Sequence, residues 1–210
     1  MSTADRIADA ALRLFNRKGY ASTTLTEIAD EIGISQGNLT YHFPTKLDLA
    51  LHFSETVRAH AEARRTTLTP GDIADDYVES LHNSMTLGWK YGFLMRDRGI
   101  FEPVDAVVPP SPIMVAAFEE RRALIERIAT EGLLRADTEI DVDVLARSLW
   151  ILSRHWPEHL REMEAKEHIE WPDVHRGIEH HFALLLPALT AAGRRRFQAA
   201  LDRLAADQAA

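Results

Sequence analysis

The chain contains no cysteine, so neither disulfides nor thiolate metal sites can form. It has no long apolar run either. Its most apolar stretch, Phe182 to Ala192, is short and is interrupted by Pro187, too little to cross a bilayer. The opening Met1-Ser-Thr-Ala-Asp-Arg lacks the charged-then-apolar layout of a signal peptide. A soluble, cytoplasmic protein without a membrane partner is therefore expected. Alternating runs of β-branched residues are missing, which argues against strands, and no internal repeat is found. There is no Gly-rich phosphate loop and no exposed nucleophile motif, so no catalytic residue, cofactor or resident metal is expected. A basic excess is lacking as well: the net charge is −8 over 210 residues. Residues 1–60 hold six basic and seven acidic side chains, and the remaining 150 hold 18 and 25. The acid excess thus lies outside the first 60 residues, and only local placement can decide for or against a polyanionic partner.

What is present is helical periodicity. Ile7, Ala11, Leu14 and Phe15 form the core stripe of a first helix that Gly19 can end. Thr24-Leu-Thr-Glu27 is a capping box that starts a second helix at about Leu25, and Gly33 stops it. Ser35 caps a short third helix running to about Phe43, with Pro44 beyond it. Thr45-Lys-Leu-Asp48 opens a fourth helix through roughly Arg64. After the loop Thr66–Gly71, longer helices are expected at about 72–96, 113–135, 141–155, 158–167, 173–191 and 194–207. A proline-rich break at Arg98–Pro112 interrupts them, and Arg194-Arg-Arg196 reads as a solvated basic run. The expected fold is all-α: a three-helix helix-turn-helix domain in residues 1–50, with helix 4 leading on from about 45, and a helical domain over 51–210.

Two short helices joined through Ile32-Gly33-Ile34 meet the needs of a helix-turn-helix. Gly33 supplies the turn conformation, and Ile34 fills the angle between the helices. Leu39 and Phe43 lie one turn apart and must face the core, so Gly37 and Tyr41 point away from it, flanked by Asn38 and Thr40. That outward face has hydrogen-bonding groups, no acid and no large aliphatic side chain. Glycine costs a helix about 1 kcal/mol relative to alanine, so Gly37 at its centre points to a close approach by something large. The floor of a DNA major groove fits. Asn38 and Gln36 are suited to adenine edges, and the Thr40 methyl to a thymine. The helix starts near Thr24 and Thr45 favour phosphates. Lys46 sits in a first helical turn, where a cation is unfavourable for the helix itself, which suggests that it faces DNA. Thr24, Ser35 and Thr45 would be caps in any protein, and His42 is more often a surface or packing residue.

The run Gly33-Ile-Ser-Gln-Gly-Asn-Leu-Thr-Tyr-His-Phe-Pro-Thr-Lys46, with Phe15, Gly19, Tyr20, Thr24 and Ile28 before it, resembles the N-terminal domain of the tetracycline-repressor (TetR/AcrR) family. The resemblance covers residues 6–51. It implies a homodimeric, all-helical repressor whose C-terminal domain senses a small molecule and releases a near-palindromic double-stranded operator. The DNA-facing residues it implies are Thr24, Ser35, Gln36, Gly37, Asn38, Thr40, Tyr41, His42 and Lys46. Thr40 departs from the family pattern, which usually has tyrosine after the leucine of the third helix.

The family implies a ligand cavity, and Trp89, Phe93, Met114, Phe118, Trp150 and His155 are candidates to line one for a largely apolar effector. Stripes of Leu145, Leu149 and Leu152, and of Ile178, Phe182, Leu185, Leu186 and Leu189, make helices 141–155 and 173–191 candidates for a homodimer bundle. Two other readings compete. One is a constitutive DNA binder without a ligand. The other is a metal-dependent hydrolase, because His155-Trp-Pro-Glu-His159 matches an H-x-x-E-H pattern, with His155 and His159 as ligands and Glu158 as base. Against the hydrolase, Pro157 would kink or restart the helix that those residues must share.

Overall fold

The computed structural model describes residues 1–67, 71–101, 111–137, 141–167 and 169–209. These form helices α1 Thr3–Lys18, α2 Leu25–Glu31, α3 Gln36–His42, α4 Lys46–Thr67, α5 Ile73–Lys90, α6 Gly92–Arg96, α7 Pro112–Thr130, α8 Val142–Glu164, α9 Trp171–Leu185 and α10 Ala191–Ala209. No strand occurs among the described residues; the pairing of Leu134 with Leu189 is a lone antiparallel bridge. The chain is all-α, as its periodicity requires. Most of the expected Pro-rich break lies outside the described residues.

Two compact units divide the chain: Met1–Leu68 with Lys90–Pro109, and Thr69–Trp89 with Pro110–Ala210. In the first, the stripe Ile7, Ala11, Leu14 and Phe15 is fully or almost fully buried. Ile28 and Ala29 of α2, Leu39 of α3, and Leu49, Phe53 and Val57 of α4 are buried in the same unit, with the Phe53 ring 6.3 Å from that of Phe15. The unit thus extends past residue 50, and it recruits a distant segment as well. Phe93 of α6 is wholly buried, with ring centroids 5.0 Å from Phe15 and 5.7 Å from Phe53. The Asn16 side chain donates to the Lys90 carbonyl at 2.8 Å and accepts from the Phe93 amide at 3.0 Å. Arg96 donates to the Phe15 and Asn16 carbonyls, satisfying the open end of α1. Phe93 is therefore a core residue of the first unit and leaves the list of ligand-lining candidates.

The second unit packs α5, α7, α8, α9 and α10 around Tyr77, Leu81, Ile125, Leu149, Ile178, Phe182 and Phe197. Leu149, Ile178, Phe182, Leu185 and Leu189, expected between subunits, lie in this core, and Leu145 and Leu186 pack against it. Those stripes close the unit itself. The apolar residues that α8 and α9 turn outward are others, among them Val144, Ile151 and Leu184, exposed by 62%, 53% and 49%.

The two helices expected at 141–155 and 158–167 merge into one, α8, which carries Pro157 inside it and ends at Glu164. Proline removes one backbone hydrogen bond. Trp156, Pro157 and Leu160 are buried, and Trp156 Nε1 donates to the Asp173 carbonyl of α9 at 2.9 Å. Packing against α9 holds the helix through the proline, tertiary context overriding local preference. α9 can lie this close because residue 177 is glycine: a Cβ there would stand 2.5 Å from Trp156 Cδ1 and would also strike Met85. At α10, Arg194 and Arg195 of the basic run are exposed, while Arg196, half-exposed, pairs with Asp72 at 2.8 Å and Glu131 at 3.2 Å.

Polar groups penetrate this core. Tyr77 Oη lies 2.9 Å from His181 Nε2, and Ser153 Oγ lies 2.8 Å from His181 Nδ1. Ser153 uses its proton on the Leu149 carbonyl at 2.6 Å. It must therefore accept from Nδ1–H, which leaves Nε2 to accept from Tyr77. Burial, then the nearby Arg121 cation, push the His181 pKa well below its ordinary value. Arg121 is buried too, lies 5.0 Å over the Tyr77 ring, and donates to Ser84 at 3.0 Å and Ser80 at 3.4 Å.

Candidate nucleic-acid interface

The turn between α2 and α3 is built by backbone closure. The amides of Ile32 and Ile34 bond to the Ala29 carbonyl, and the Gly33 amide bonds to that of Asp30. Gly33 takes φ +69°, a left-handed conformation that suits glycine. Arg6 reaches from α1 to the Ile32 carbonyl at 2.9 Å and fixes the end of α2. Ser35 caps α3 by accepting from the Asn38 amide at 3.2 Å, and Leu39, fully buried, anchors the helix.

With Leu39 inward, Gln36, Gly37, Asn38, Tyr41 and His42 are all exposed. Tyr41 reaches 83% exposure, and its ring stands edge-on to His42 at 5.3 Å. Thr40 is half-buried, with its hydroxyl bonded back to the Gly37 carbonyl at 3.2 Å. A Cβ at Gly37 would meet nothing nearer than Ser35 Oγ at 4.0 Å. Nothing within the chain demands glycine there. Thr26 of α2 donates to Gln36 Oε1 at 3.0 Å, a link across the turn that no local sequence pattern announces.

The caps are occupied by their own helices. Thr24 and Glu27 bond reciprocally, and Lys18 pairs with Glu27. The Lys18 hydrogen bond, then those from the Thr24 backbone and hydroxyl, hold the Glu27 carboxyl at about 2. Thr45 and Asp48 make the matching box at α4.

Lys46 requires a correction. Its Nζ donates to the carbonyls of Tyr20 and Thr23, each at 2.8 Å, and of Ala21 at 3.2 Å, and it lies 4.4 Å over the Tyr20 ring. Burial lowers its pKa. The cation in the first turn of α4 is accounted for by the 20–23 loop that it closes, without a phosphate. The partners lie more than twenty residues away, so the sequence position alone could not show them.

The expected ligand-lining residues separate. Phe118 and Trp150 come together, ring centroids 5.8 Å apart, with Arg147 over Phe118 at 5.0 Å. Met114 lies one turn before Phe118, half-buried, and Trp89 sits under the Arg161 guanidinium at 4.9 Å. His155 is exposed on α8. A groove of about 530 Å³ is lined by Trp171, Pro172, Asp173, His175, Arg176 and Ala205, none of them among the expected lining.

Since α8 runs through Pro157, His155 and His159 do share a helix, contrary to the objection drawn from that proline. Glu158, however, pairs with Arg161 at 2.8 Å, and His159 stacks on Trp156 at 5.3 Å. Among the described residues, no group of three or more metal-binding side chains converges.

Two family models match the chain: bacterial regulatory proteins of the tetR family over residues 7–53, and a bacterial transcriptional repressor over residues 112–197. The HTH-type transcriptional regulator CymR of Pseudomonas putida is 34% identical over 88 residues, 38% of this chain and 43% of that protein. The HTH-type regulator AcrR of Shigella flexneri is 38% identical over 73 residues, 33% of this chain and 34% of its own length. The chain thus spans less than half the length of the curated relatives it matches. A TetR-family transcriptional regulator of Marinobacter aquaeolei VT8 shares the fold at a TM-score of 0.65 and 24% identity, over 97% of this chain and 98% of that one. The matched segments carry the α2–α3 turn and, in the second unit, α7 to α9 with the start of α10, and the chain belongs to the TetR family.

Proposed function

We propose that the protein is a sequence-specific DNA-binding transcriptional repressor that works as a homodimer in the cytoplasm and acts by binding, without catalysis. The first unit carries the DNA-reading machinery, in its residues 1–50, and the second unit carries sensing and dimerisation. The observation that carries this reading is the exposed face of α3. Gln36, Gly37, Asn38 and Tyr41 stand clear on a helix locked from behind by Leu39, with a glycine that no contact of the chain explains. A recognition helix entering a major groove has these needs: backbone close to the groove floor and amides at the base edges. Thr24, Ser35 and His42 flank it at the backbone.

The second unit holds a small, largely apolar effector near Met114, Phe118, Trp150 and Trp89, and its binding releases the operator. A gamma-butyrolactone receptor of ArpA-like type, 25% identical with a TM-score of 0.56 over 97% of this chain and 95% of that one, supports an effector of that general kind. Two subunits join through the outward faces of α8 and α9, where Val144, Ile151 and Leu184 are available to a second copy.

Selection of bound sequences from a random duplex pool at near-physiological salt tests the reading. A single near-palindrome with half-sites about one DNA turn apart is expected. Asn38→Ala should then relax the preference at one position in each half-site. Recovery of no sequence, with the protein folded and dimeric, would reject the proposal.

A further inference from the structure

An exposed glutamine beside a groove has many rotamers and can present either end of its amide, so by itself it specifies little. Gln36 is restrained. It is the first residue of α3, and its Oε1 accepts from Thr26 Oγ1, in the first turn of α2, at 3.0 Å. Both side chains are otherwise exposed, so the bond does not serve a core. The contact fixes which end of the amide faces α2. The oxygen end lies against α2, and the nitrogen end, with two N–H donors, is the part left to advance. Fixing a rotamer before binding also removes part of the ordering cost of contact.

We infer that Thr26 is a positioning residue that makes Gln36 a donor-only reader, selecting guanine over adenine at its position in the operator. Guanine offers two acceptors in the major groove, N7 and O6, which match the two donors of the amide nitrogen. Adenine offers one acceptor and one donor, and its N6 amino group would meet no acceptor while Oε1 is turned toward Thr26. This differs from the two-ended glutamine–adenine pairing that a free Gln36 would make. The inference rests on the DNA-reading role proposed above.

The test compares sequences selected by the parent protein, Gln36→Ala, Thr26→Val and Thr26→Ser. Gln36→Ala locates the position that Gln36 reads. The parent should show guanine there. Thr26→Val keeps the side-chain shape but removes the donor, and should shift that position toward adenine by roughly tenfold relative to guanine, the scale of a good two-bond contact. Thr26→Ser keeps a hydroxyl and should restore the guanine preference. A structural role for Thr26 would lower affinity for all sequences alike and leave the base ratio fixed, and melting curves check that each variant is folded. If Thr26→Val keeps the parent's base ratio, or the parent already prefers adenine there, the inference is overturned while the operator itself stands. If the parent recovers no sequence, the DNA-reading proposal fails and takes this inference with it.

Discussion

The two units treat polar groups in opposite ways. In the first, the core is aliphatic and aromatic apart from Thr23, whose hydroxyl bonds locally to the Gly19 carbonyl, and most hydrogen-bonding side chains of α3 stand in solvent. In the second, an arginine, an imidazole, a phenol and three serines sit inside the helical packing and bond among themselves. Buried polar groups are costly unless satisfied, so the second unit couples its polar chemistry to its stability. The first unit keeps the two apart: its outward face can change without cost to the fold. A surface of that kind is free to diverge in what it recognises, whereas the interior of the second unit is constrained at every polar position.

The sharpest way to probe this contrast is a change in the tight interior. Gly177→Ala places a methyl group against the Trp156 ring and should destabilise by about 1–3 kcal/mol, read as a lower denaturant midpoint at unchanged slope. An unchanged midpoint would mean that α8 and α9 can part freely.

The next effect is protonic. The pKa of His181 is held below its unfolded value by burial and by Arg121, so the unfolded chain takes up a proton that the native state refuses. Stability should therefore fall as pH drops below about 6.5, by at most about 1.4 kcal/mol per pH unit. The loss should continue until the lowered folded-state pKa is reached. His181→Gln should flatten melting temperature against pH between 6.5 and 5. A parent curve already flat in that window would show that His181 is not held neutral.

A smaller effect is expected in the first unit. Lys46→Met removes the closure of the 20–23 loop and should cost about 1 kcal/mol of stability. DNA affinity should drop at every ionic strength with the salt slope unchanged, since the ammonium already serves three carbonyls. A slope lower by about one would return Lys46 to the phosphate contacts. Smallest of all on stability is Tyr41→Ala, within about 0.5 kcal/mol for a residue this exposed, although operator binding should weaken clearly. Equal losses of stability and binding would erase the separation between face and core.

Local signals were readable. Gly19, Gly33 and the caps at Thr24, Ser35 and Thr45 mark the ends of helices, and the period set by Leu39 orients α3. These depend on neighbours within a turn or two. What could not be read depends on residues far apart in the chain. The Phe93 contact with Phe15, the Lys46 contacts with the 20–23 loop, and the support of Pro157 by α9 are of this type. The leucine stripes of α8 and α9 were visible as stripes, but periodicity gives a face and not the identity of its partner.

The first unit is discontinuous in sequence: the chain leaves it at Leu68 and re-enters at Lys90 to deliver Phe93. A fragment cut at residue 68 would thus be missing the ring that completes its aromatic core. Grafting this reading head onto a foreign sensor would require transplanting two stretches of chain, the second running at least from Lys90 through Asp97, whose carboxylate holds the Tyr20 amide at 2.9 Å. The module is portable only as a split part, and chimaeras joined by a single crossover would inherit an unfinished head.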